Sequence, residues 1–120
     1  VILVFRIRFQ QSLENINKRT DFFEHIQAEE LKFGNLVFIE TKNSFYHIYV
    51  LGDSRYLVSG GWFDKNKLSP ALVKINGCTW GGNIIKTDTL AACGMHLEFN
   101  NRVVTSTIQK VIVFPGNGKN

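Results

Sequence analysis

The sequence predicts an α+β protein, with an N-terminal strand and one or two helices followed by a strongly bent antiparallel sheet or small, partly closed β-barrel. Three observations lead there. Apolar residues between 10 and 31 recur every three or four positions, the period of one helical face. From Phe33 onward they recur every second position, the period of a half-buried strand. The alternating runs are short and separated by hairpin-length gaps containing Gly, Asn, Asp or Ser, which antiparallel neighbours need.

The elements follow in order. Residues 1–9, V-I-L-V-F-R-I-R-F, favour a strand, with Phe5, Ile7 and Phe9 alternating with Arg6 and Arg8. Leu13, Ile16, Thr20, Phe23 and Ile26 share one helical face, and Asp21 with Glu24 three residues on reads as the start of a second helix. Strands are then expected at 36–40, 45–50, 55–59 and 71–75, with turns at T-K-N-S (41–44) and L-G-D-S (51–54) and a polar loop over 64–70. N-G-C-T-W-G-G (76–82) reads as a glycine-rich loop before the short apolar segment 83–86. Residues 87–94 fit either a strand or a helical turn capped by Thr87 or Asp88, whereas Met95 to Phe99 alternate like a strand. After the turn N-N-R, residues 103–108 and 110–114 read as one long strand or two bent ones, stopped at Pro115.

The 120 residues suit a single domain, divided into an N-terminal element (1–33), an antiparallel β domain (34–114) and a frayed tail (115–120). The longest uninterrupted apolar run is Val1 to Phe5, too short for a membrane-spanning helix, and it lacks the charge-first order of a signal peptide. A cytoplasmic protein without membrane contact is the expectation. Two cysteines do not make a disulfide framework, although Cys78 and Cys93 could face each other across adjacent strands. The net charge of +4 arises in the second half: residues 1–60 hold seven basic and seven acidic side chains, residues 61–120 seven and three. Those basic residues are scattered, which permits nucleic-acid contact without demanding it.

Four chemistries compete for the distinctive residues. A thiol hydrolase or transferase would use Cys78 as nucleophile, His96 or His47 as base and Asp88 to orient that base, with glycine-rich backbone as an oxyanion hole. The spacing of these residues does not link them. C-x-x-H at Cys93–His96 has a metal-ligand spacing, but a closed zinc site needs four ligands, and on a strand these two positions face opposite ways unless Gly94 sits in a bulge. The double glycines lack the strand-to-helix context of a phosphate loop. The favoured chemistry is non-enzymatic binding of a small ligand or partner. Trp62, Phe63 and Trp80 lie beside double glycines, which allow close approach while aromatics supply rigid contact area. The candidate binding residues are Trp62, Phe63, Asp64, Cys78, Trp80 and His96, with both tryptophans flanking one concave site; neither cofactor nor metal is expected. Aromatics on a slightly basic small barrel also admit single-stranded nucleic acid as a second alternative.

The stretches G-W-F-D-K (61–65), L-S-P (68–70), I-N-G-C-T-W-G-G (75–82), I-K-T-D (85–88), A-A-C-G-M-H-L-E-F (91–99) and N-R-V-V-T-S (101–106) together resemble small uncharacterised bacterial proteins carried on mobile elements such as integron gene cassettes. The resemblance spans residues 34–114. It implies a compact, often homo-oligomeric protein of unassigned function, and it carries over no catalytic residue. It also implies that residues 1–33 are a cassette-specific addition that could serve in oligomerisation.

Overall fold

Alternation of apolar and polar side chains builds most of this molecule, and it starts earlier than the helical reading allowed. The computed structural model describes residues 21–81 and 84–116. The strand expected at 1–9, most of the first helix and the last four residues of the tail lie outside them.

Numbered from the first described element, β1 (Asp21–Phe23) and β2 (His25–Gln27) precede a single 3-10 turn (Ala28–Glu30). Next come β3 (Leu36–Thr41), β4 (Phe45–Gly52) and β5 (Arg55–Gly60), then a one-turn helix α1 (Gly61–Lys65). The chain continues through β6 (Ala71–Val73), β7 (Ile75–Thr79), β8 (Ile85–Lys86), β9 (Thr89–Ala92), β10 (His96–Phe99) and β11 (Ile108–Phe114). The protein is therefore mainly β among the described residues, and the α+β expectation is corrected. The helix expected from Asp21 is two short strands instead, β1 pairing with β11 and β2 with β9. Three-residue strands are too short for their period to be told from a helical one. Long-range backbone pairing then overrides the local cap signal.

The β-barrel is corrected as well. A six-stranded antiparallel sheet runs β1-β11-β3-β4-β5-β6, a second sheet runs β10-β7-β8, a third pairs β2 with β9, and none closes on itself. Short hairpin gaps set the register of the meander from β3 to β5, with for example Phe38 opposite His47 and His47 opposite Ser59. β11 returns from far along the chain to lie antiparallel to β3.

The main core lies between one face of the large sheet and the two small sheets. Val37, Ile39, Tyr46, Ile48, Val58 and Val111 from the large sheet meet Ile26, Cys78, Leu90, Leu97 and Phe99 from the small ones. Phe63 of α1 is completely buried, edge-on to Phe99 at 5.0 Å and to Tyr46 at 6.4 Å. Burying a side chain of this size is worth roughly 1.5–3 kcal/mol, which anchors α1 against the sheet end. The opposite face of the large sheet carries a second cluster, with Leu36, Tyr49, Leu57, Ile112 and Phe114 buried.

Two further expectations change here. Asn76–Thr79 form strand rather than loop, so Cys78 is a strand residue paired across to Leu97 and Lys86. Residues 103–107 are mostly irregular, touching the sheet through a bridge between Val104 and Glu98, and the last strand begins at Ile108. The ambiguous segment 87–94 resolves into a turn followed by strand β9.

Candidate functional site

Strand parity decides what each candidate side chain can reach. Cys78 points into the core, fully buried, and its Sγ–H donates to Leu90 O at 3.3 Å. Burial pushes its thiol up to about 11, partly offset by the Ala92 backbone N–H beside the sulfur. A nucleophilic thiol needs solvent access and a lowered pKa, and Cys78 has neither. Cys93 is half-buried on the turn after β9, with its Sγ 3.5 Å from Gln109 O. Burial first, then the negative charge of Glu24, raises its pKa. Both thiols are free.

His96 leaves the small sheet on the side away from Cys78's neighbour Leu97. Its Nδ1 lies 2.8 Å from Thr105 O. A carbonyl only accepts, so Nδ1 carries the proton and Nε2 turns toward Gly81, where a side-chain carbon would lie 3.7 Å away. Among the described residues no group of three or more His, Cys, Asp and Glu converges to hold a metal ion. Asp88 is exposed in the β8–β9 turn, where its Oδ1 accepts from Thr89 Oγ1 at 3.3 Å.

The two tryptophans do not flank one site. Trp62, at the start of α1 and 36% exposed, stands edge-on to Phe63 at 5.3 Å, and its backbone N–H donates to the Tyr46 hydroxyl oxygen at 3.2 Å. Trp80 follows β7 and is 69% exposed. Its indole lies over the 93–94 turn, so that a side-chain carbon on Gly94 would sit 3.7 Å from Cζ3. Of the expected site residues, Trp80 lines one groove and Asp64 another, while Trp62 and His96 line neither.

The larger groove, about 800 Å³, has Trp80 as one wall. Ala92, Thr89 and Met95 form its buried floor. Glu24 and, from β2, His25 and Gln27 stand at its margin, while Lys86 of β8, Cys93 and Gln109 complete the lining. The smaller groove, about 440 Å³, lies on the outer face of the large sheet between β4 and α1 and includes Asp64. Phe63 enters neither groove because its side chain is core. Sequence reasoning singled out none of His25, Gln27, Lys86 and Gln109 as site residues. These come from strands up to 84 positions apart in the chain, so no local motif could have marked them. The weak signal that existed was the exposed tryptophan itself.

No family model, curated protein or solved structure matches this chain.

Proposed function

We propose that the protein is a non-enzymatic binding domain whose Trp80 groove takes a small planar molecule with polar edges. One observation carries this reading: a large aromatic ring left 69% exposed as the wall of a groove of about 800 Å³. A planar ligand gains stacking area on the indole. The Gln27 and Gln109 carboxamides and the Thr89 hydroxyl supply donors and acceptors for its edge, and Glu24 and Lys86 offer one charge of each sign. The thiol-hydrolase alternative loses its support with Cys78 buried in the core. The nucleic-acid alternative finds one exposed aromatic and one lysine at this groove, Trp80 and Lys86, where a cationic track would need several.

Self-association belongs to the same reading. β6 ends the large sheet, and Leu72 on it is 60% exposed, with Leu68 just before it 50% exposed. An open edge carrying apolar side chains favours a second copy.

The test is a ligand-detected NMR screen of planar heteroaromatic fragments, repeated on Trp80→Ala and Trp62→Phe. The reading expects hits that vanish with Trp80→Ala and persist with Trp62→Phe. Hits indifferent to Trp80→Ala, or a screen without hits, would sink it.

A further inference from the structure

The smaller groove is built from a different chemistry. Phe38 on β3 and His47 on β4 are cross-strand partners whose rings stack at 4.8 Å with planes 19° apart. Phe38 also stacks on Phe45 at 5.6 Å, planes 23° apart. Three near-parallel rings thus form a ladder along one side of a groove of about 440 Å³, with Phe45 at the open end, 51% exposed. Gly60 and Gly61 border the same space without side chains.

Across from the ladder sits Asp64. Its Oδ1 accepts from Gly60 N–H at 3.0 Å and from Ser69 Oγ at 2.5 Å, which holds the carboxylate in place. Both bonds fall on one oxygen, and a carboxylate has acceptor capacity on two. The His47 ring contributes as a neutral aromatic near pH 7, because burial pushes its pKa down to about 4 against the pull of Asp64. The nearby Glu40, opposite Phe45 on β3, is already 4.0 Å from Lys110.

Phe38 stacks on both other rings, so the exposed ring of the ladder is Phe45, and its open face together with one fixed carboxylate is what a desolvating organic cation seeks. We propose that the Phe38–Phe45–His47 ladder and Asp64 form a second binding site, for a small alkylammonium compound. It shares no lining residue with the Trp80 groove. Lys65 borders the site and is the positive group that such a ligand must displace or avoid.

Choline and its uncharged carbon isostere 3,3-dimethyl-1-butanol serve as probes, titrated into the 15N-labelled protein. Choline should produce saturable shifts confined to Phe45, His47 and residues 60–65, and should bind about tenfold more tightly than the isostere. Asp64→Asn keeps an oxygen acceptor for Gly60 and Ser69 but removes the charge, and should erase that preference. Phe45→Ala, at an exposed position that leaves the core intact, should weaken choline a few-fold, Lys65→Ala should strengthen it, and Trp80→Ala should leave it unchanged. Equal affinity for the two probes, a preference that survives Asp64→Asn, weakening by Lys65→Ala, or shifts that never saturate would each overturn the proposal.

Discussion

His47 shows how burial alone tunes a side chain. It lies on the outer face of the large sheet, stacked on Phe38, with its Nδ1 3.4 Å from Ser59 Oγ. Desolvation holds its pKa near 4, below the ordinary 6.5, and the Asp64 charge recovers only part of that shift. Above pH 6.5 the ring is neutral in both folded and unfolded chains, so its contribution to stability is constant. Between 6.5 and 4 the unfolded chain takes a proton that the folded one refuses, and stability falls. Below 4 both are protonated and the loss is complete, up to about 3 kcal/mol. Urea midpoints measured from pH 7.5 to 4.5 should therefore drop more steeply for the native protein than for His47→Phe, which keeps the stack and cannot titrate. Parallel curves for the two proteins would show that burial at His47 is not what sets this slope. Cys78 makes the complementary case. Buried and bonded to Leu90 O, it should resist iodoacetamide at pH 8 until the protein unfolds, whereas the half-buried Cys93 labels slowly in the native state. Site-resolved mass spectrometry reads both, and rapid labelling of Cys78 would contradict its placement. Neither behaviour was visible in the sequence, where both cysteines simply stood beside glycines.

Among the elements, β7 departs most from what its composition implied. Asn76, Gly77 and Trp80 with Gly81 read as turn material, yet β7 pairs along its length with β10, and Cys78 and Thr79 pair with β8 as well. Gly77 explains how. Its φ is +139°, and a Cβ there would overlap the Lys86 carbonyl on β8. Glycine serves this strand by letting a neighbouring backbone approach, which the sequence alone cannot distinguish from a turn. Gly77→Ala should destabilise the protein by roughly 2–4 kcal/mol, through both overlap and an unfavourable φ. Thermal unfolding would measure this, and a change below about 0.5 kcal/mol would mean that the two strands are free to separate. The segment from Asp21 to Glu30 failed for another reason. Its apolar spacing is compatible with either period over so few residues, and partners 62 to 92 positions away, β9 and β11, chose the strand.

Among the described residues, three open sheets enclose the main core, and the Trp80 groove and the Asp64 groove share no lining residue. Among the described residues no helix is long and apolar enough to cross a membrane. The large sheet also ends at β6 with Leu72 on its surface. If that edge joins two copies, analytical ultracentrifugation should find a dimer at micromolar concentration that Leu72→Lys converts to monomer, with thermal stability changed by no more than about 0.5 kcal/mol because the position is exposed. A monomeric native protein would remove β6 as the contact.

The hairpin meander from Leu36 to Gly60, with its strands and turns, follows from the sequence, because period-two alternation and short polar gaps are local properties. The pairing of β11 with β3, the strands before Ala28, the burial of Phe63 and Cys78 and the separation of Trp62 from Trp80 all come from contacts between distant parts of the chain. They are set when two sheets pack face to face, and packing selects among local alternatives that a single segment leaves nearly equal in free energy.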